Sequence, residues 1–157
     1  MVHLEFFKPE ELAGLSYTLD EDQMRFTATV QHALMNISKR DDSDAFPVTI
    51  FEEGSPAGFF VLDFGNDKFE LTDNKDSVLV RSLSVNPQLQ GKGIGKTAML
   101  KLDDFIRNHF KSCDEIVLAV NQKNDSAYHI YLKAGYLYEG KTRIGRSGPQ
   151  YLMYKKL

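Results

Sequence analysis

Gly91, Gly93 and Gly95 stand at every second position of Gln90-Gly-Lys-Gly-Ile-Gly-Lys96, the stretch of the chain with the plainest chemical meaning. Glycine lacks Cβ, so its backbone can approach a ligand closely and take positive φ freely. Such a turn at the start of a helix aims unpaired N–H groups outward, and the positive end of the helix dipole reinforces them. The ligand this suits is a phosphate. The alternative is a glycine-rich connector that binds nothing, although three alternating glycines are conformationally costly to order. Two well-known phosphate loops do not fit. A Walker loop needs a glycine five residues before Gly95-Lys96-Thr97, and Gln90 stands there. A dinucleotide fingerprint needs Gly-x-Gly-x-x-Gly and an acidic residue ending the next strand; these glycines have single-residue gaps, and the next strand ends at Val120-Asn121.

The elements around the turn follow from periodicity. Ser77–Val85 is a β-branched, extended run, and Ile94, Ala98, Leu102 and Phe105/Ile106 then recur at helical spacing. The turn therefore joins a strand to a helix. Further on, Asn124 is a good N-cap for a helix that carries Ala127, Ile130, Tyr131 and Ala134 on one side and stops at Gly135. Tyr131 on such a helix has the alternative of simply packing in the core.

Gln90-Gly-Lys-Gly-Ile-Gly95 resembles motif A of the GCN5-related N-acetyltransferases, Gln/Arg-x-x-Gly-x-Gly/Ala, and Leu83-x-Val85-x-Pro87 fits that family's strand ending. Gln88-x-x-Gly91-x-Gly93 fits as well, two residues earlier. Asn124-Asp-Ser-Ala127-Tyr-His-Ile-Tyr131-Leu-Lys-Ala-Gly135-Tyr136 is similar to the family's next motif, and the two motifs span about a third of the chain. The resemblance implies acetyl-CoA as co-substrate, with direct transfer of its acetyl group to a primary amine. It assigns the pantetheine arm to the exposed backbone of Leu83 and Val85, and the pyrophosphate to Gln90, Gly91, Lys92, Gly93, Ile94, Gly95 and Lys96. Asn124 would hydrogen-bond the arm, Ala127 would leave room for it, and Tyr131 would protonate the departing sulfur. A phenol with an ordinary pKa of about 10 is protonated at neutral pH, as that role requires.

The base is less obvious. Some family members place a glutamate on the strand before the turn, but here Leu79 and Arg81 stand there, with no acid between Ser77 and Gln90. Glu70, Asp63 and Asp76 are near only in sequence, and a water chain is the expected base. The motifs do not identify the acceptor, whose specificity in such folds resides in variable loops. Glu21, Asp22, Asp41, Asp42 and Asp44 could recruit a polyamine such as spermidine or spermine, or form an ordinary solvated surface. A non-catalytic CoA-binding module, or an acetyltransferase for a protein N-terminus or lysine, are the other readings.

Composition sets the frame. At 157 residues the chain suits a single domain over residues 1–157, and 42% hydrophobic with 26% charged residues is ordinary for a soluble protein. A net charge of −3 gives no basic footprint for nucleic acid. No run is long or apolar enough to span a membrane, and the start lacks a signal peptide's pattern. Cys113 is the single cysteine, and His3, His32, His109 and His129 share no metal-ligand spacing. The chain reads as cytoplasmic and metal-free, with a small-molecule amine as partner and room for a homodimer.

The expected layout is α/β (α+β in some schemes): a mixed, mostly antiparallel twisted sheet of six to seven strands with helices on both faces. Strands are expected at His3–Phe7, Pro47–Glu52, Ala57–Phe64, Ser77–Val85, Ile116–Val120, Tyr136–Ile144 and Gln150–Lys156. Asn66–Asp76 is polar, with Phe69 and Leu71 as a further extension of the sheet. An Asp20–Gln23 capping pair precedes a helical stripe through Val30, Ala33, Leu34 and Ile37.

Overall fold

The apolar runs form one seven-stranded sheet. The structure, a computed structural model, describes the backbone of residues 1–157 and every side chain but that of Asp22. The strands are β1 (Val2–Phe6), β2 (Ala45–Glu52), β3 (Ser55–Asp63), β4 (Ser77–Val85), β5 (Glu115–Asn121), β6 (Leu137–Gly145) and β7 (Gly148–Lys156). Their order is β1-β2-β3-β4-β5-β7-β6, and only the β4–β5 pair is parallel. The parallel pair needs a crossover, which the helix after the glycine turn supplies.

The helices are α1 (Glu21–Phe26), α2 (Val30–Ser38), α3 (Ile94–His109) and α4 (Asp125–Lys133). On α3, Ile94, Ala98, Met99, Leu102, Phe105 and Ile106 are buried, a stripe at the 3.6-residue period. They pack with Val78 and Val80 of β4, Ile116, Leu118 and Val120 of β5, and Tyr131 of α4. On the opposite sheet face α2 covers Phe59 and Val61, while Leu71, Leu79, Val117 and Leu152 form a smaller cluster. No helix among the described residues is long and apolar enough to cross a membrane.

Two local expectations are corrected. The stretch after Asp20 is two helices: Asp20 accepts the Gln23 N–H at 2.8 Å to start α1, and Thr29 accepts the His32 N–H at 3.1 Å to start α2. Asp20 and Gln23 do not cap reciprocally, because the Gln23 side chain turns elsewhere. Asn66–Glu70 is a short 3-10 helix, so Phe69 and Leu71 add no strand; Leu71 is buried beneath it and Phe69 is 46% exposed.

Candidate active site

A split in the sheet creates the site. β4 and β5 pair only at Ser77–Glu115, Val78–Ile116 and Leu79–Val117, after which β5 stays with β7 and β4 with β3. The register of β4 against β3 slips between Val61–Arg81 and Phe59–Ser84, and Ser82 at the slip has φ of +60°. A non-glycine residue in that left-handed region costs about 1–3 kcal/mol. The bulge also reverses which face each side chain meets. Val78 and Val80 pack toward α3, and beyond the bulge it is Leu83 and Val85 that do so. Ser84 is turned to the other face, where its hydroxyl meets that of Tyr17 at 2.7 Å. Burial pushes the Tyr17 phenol up to about 12, against the opposing pull of that hydrogen bond.

The gap opens into a cleft of about 1580 Å³. Its lining gathers Leu83, Val85, Gln90, Gly91, Gly93, Ile94, Gly95, Lys96, Asn124, Ala127 and Tyr131, eleven of the twelve residues singled out from the sequence. Lys92 is exposed and lies outside the lining. Gly91 and Gly93 have φ of +82° and +75°, and a Cβ on either would meet nothing within 4 Å. Their glycine requirement is therefore conformational, not a matter of crowding. The first backbone bond of α3 runs from Thr97 to Gly93 at 2.9 Å, so the N–H groups before it have no intrahelical partner.

The facing wall is α4. Asn124 uses its Oδ1 to accept the Ala127 N–H at 3.2 Å, which leaves its amide NH₂ free to donate into the cleft. Tyr131 is 7% exposed, edges against Tyr136 at 5.7 Å between ring centroids, and lines the cleft. Its hydroxyl makes no hydrogen bond among the described residues, and burial holds its pKa well above the ordinary phenol value. On the other side, the Val85 N–H donates to Gln23 Oε1 of α1 at 3.3 Å.

The matches to known proteins agree with this geometry. A profile of the acetyltransferase (GNAT) family matches residues 12–136. An uncharacterized N-acetyltransferase of Bacillus subtilis (strain 168), YbbJ, is 39% identical over 155 residues, covering 98% of this chain and 96% of that protein. The chain belongs to the acetyltransferase (GNAT) family. The fold is also that of solved structures at lower identity. The aminoglycoside acetyltransferase AAC(6')-Ib in complex with coenzyme A and kanamycin superposes with a TM-score of 0.78 at 20% identity, covering 99% of this chain and 95% of that one. The spermidine N-acetyltransferase from Vibrio cholerae in complex with CoA and spermine has a TM-score of 0.70 at 17% identity, with 99% and 95% covered.

The far half of this acetyltransferase's cleft holds groups that the sequence did not bring together. Asp63 is completely buried, and Arg40 grips it through Nη1 at 2.8 Å and Nη2 at 3.0 Å. Arg81 reaches the same carboxylate at 3.2 Å and Asp67 at 2.8 Å, while Arg143 bonds Glu70 at 2.5 Å and Gln150 at 2.7 Å. Burial alone would raise the Asp63 pKa, but Arg40, the Gly65 N–H and Arg81 outweigh it and hold it below the usual carboxylate range. Asp63 is therefore a poor proton acceptor, and Asp76 lies outside the lining; of the three acids considered as a base, Glu70 alone lines the cleft. Glu21, Asp41, Asp42 and Asp44 do not line it, and Asp42 is bonded to Arg40. The Asp22 side chain lies outside the described residues. The pairs Gln23–Val85, Arg40–Asp63 and Arg143–Glu70 span long sequence separations and carry no local motif; only a paired charge pattern across strands could have hinted at them.

Proposed function

We propose that this acetyltransferase moves the acetyl group of acetyl-CoA directly onto a primary amine of a small molecule. The observation that carries the reading is the split between β4 and β5, flanked by the glycine turn on one side and Tyr131 on the other. The residues present fit acetyl-CoA: unpaired N–H groups at the start of α3 suit its pyrophosphate, and the strand backbone bared by the split suits its amide-bearing arm. When bound, acetyl-CoA supplies an activated thioester. Leu83 and Val85 would hold the arm in register, Asn124 would donate its amide NH₂ to it, and Ala127 would leave room. The Val85 N–H becomes available when Gln23 swings away.

Tyr131 then serves as the acid, giving its phenolic proton to the sulfur as the carbon–sulfur bond breaks. Its high pKa keeps it protonated, and its free hydroxyl has no competing partner. The amine must lose a proton, and water in the cleft carries it away, since Asp63 is committed to two arginines. Residues 1–157 act as one catalytic unit, and the buried free thiol of Cys113 suits the cytosol. The aminoglycoside and polyamine acetyltransferases of the same fold support an amine acceptor of small size. A direct assay tests the reading: incubation with acetyl-CoA and a panel of small amines, following free thiol and the mass of the acetylated product. Turnover with at least one amine is expected. Absence of both acetyl-CoA binding and turnover would reject it.

A further inference from the structure

The arginines of the cleft say what kind of amine belongs there. Five of the chain's six arginines line it, Arg25, Arg40, Arg81, Arg143 and Arg146, against three of its thirteen lysines. Only Asp20, Asp67, Glu70 and Asp125 of its twenty-two acids do so, in a chain whose net charge is −3. Of the lysines, Lys96 stands at the glycine turn, where pyrophosphate is expected, and Lys123 and Lys133 stand just before and at the end of α4. The arginines come from elsewhere: α1, the residue after the C-cap of α2, β4, and the β6–β7 hairpin. Phosphate groups at the glycine turn do not account for them.

Their hydrogen bonds divide them by role. Arg40 is saturated, with Nη1, Nη2 and Nε all spent on Asp63 and Asp42. Arg81 uses only Nη1, and Arg143 uses Nε and Nη1. Nη2 of each therefore makes no hydrogen bond among the described residues. Asp67 and Glu70 lie three apart on a 3-10 helix, the spacing at which side chains eclipse, so the carboxylates that anchor Arg81 and Arg143 project from one side of it. Their side chains remain 43% and 31% exposed, within reach of a ligand. Two oriented guanidinium groups with spare donors match the oxygens of a carboxylate or a phosphate. Arg40, Arg81 and Arg143 are paired with Asp42, Asp63, Asp67 and Glu70, so it is the spare Nη2 donors of Arg81 and Arg143, not a surplus of charge, that select an oxyanion.

We infer that the acceptor is a primary amine whose molecule also carries an oxyanion, a carboxylate or a phosphate, held by Arg81 and Arg143. The inference rests on the acetyl-transfer reading. The test uses matched acceptors: ω-amino acids beside their carboxamides, phosphoethanolamine beside ethanolamine, and spermidine. Turnover is read as kcat/KM, and CoA-dependent thermal stabilisation is read for every compound whether or not it is turned over. At least one oxyanion-bearing amine should exceed its neutral partner tenfold or more, with the carboxylate and phosphate pairs telling which oxyanion it is. Arg143→Ala should raise KM for that acceptor at least tenfold while leaving the KM for acetyl-CoA and the rate with the neutral partner within twofold. Arg81→Ala, whose contacts with Asp63 and Asp67 are separate from those of Arg143, is the second variant and should raise the same KM at least tenfold. The inference is overturned if spermidine or the neutral partners are preferred, if Arg143→Ala affects charged and neutral acceptors alike, or if no oxyanion-bearing amine is turned over or stabilises the CoA complex. Acetyl-CoA binding by calorimetry separates the two levels: binding with the wrong acceptor preference overturns this inference alone, and no binding overturns the acetyl-transfer reading beneath it.

Discussion

The role proposed for Tyr131 shows why burial and catalysis are not opposed at the residue scale. A phenol that must stay protonated until a thiolate leaves is best kept out of water, and the low exposure of Tyr131 does this. Because its hydroxyl has no partner among the described residues, Tyr131→Phe removes a donor and nothing structural. We expect acetyl-CoA affinity and melting temperature to stay put, while kcat falls by about 10²–10⁴-fold, the usual cost of a lost general acid. A change in melting with turnover intact would instead mark a packing residue. Asp63 is the opposite case, a buried charge serving structure. Asp63→Asn breaks its pairing with Arg40 and Arg81 and should cost about 3 kcal/mol, the low end for a buried pair, since both guanidinium groups keep other carboxylates. Its folded pKa is lowered, so its stabilising effect is complete above the unfolded carboxylate value of about 3.9 and is lost as pH falls through the folded value. Denaturant curves should show the wild type's advantage over Asp63→Asn constant from neutral pH to about pH 5 and shrinking below about pH 4.

At the scale of elements, β4 does most of the positioning. Its bulge at Ser82 reverses the face of every later side chain, and its departure from β5 bares the backbone that a ligand arm needs. Two elements roof this gap: α1 through Gln23 on the Val85 N–H, and the β6–β7 hairpin through Ser147, whose hydroxyl donates to the Arg25 carbonyl at 2.9 Å. Gln23 thus occupies the position proposed for the pantetheine arm, with its Nε2 buried and unpartnered. Gln23→Ala should tighten acetyl-CoA binding about two- to fivefold, the worth of one modest hydrogen bond, as calorimetry would show. Weaker binding would mean that Gln23 helps hold the arm. None of this was legible in the sequence. Ser82 has no residue-type signature for positive φ, the break between α1 and α2 rests on Thr29 as a cap inside an amphipathic pattern, and Asn66–Glu70 turned helical where Phe69 and Leu71 suggested a strand.

Across the whole molecule, what could be read from the sequence was what local chemistry dictates. The Ser77–Val85 strand, the three glycines, the α3 stripe and the Asn124 cap each declare themselves within a few residues, and the sheet class follows from how they alternate. The acceptor half could not be read that way, because Arg40, Asp63, Glu70, Arg81 and Arg143 become a site only when distant strands meet. The proposed function divides in the same way, into an acetyl-CoA half carried by local motifs and an acceptor half assembled from distant strands. Calorimetric titration of acetyl-CoA into wild type and Gly93→Glu tests the acetyl-CoA half, and with it the central claim, most directly. A Cβ at Gly93 meets open space and its positive φ costs only about 1–2 kcal/mol, so the variant should remain folded. Wild type should bind one acetyl-CoA per chain, and Gly93→Glu, with a carboxylate where the pyrophosphate belongs, should bind none detectably. Equal affinity in the folded variant would contradict the account.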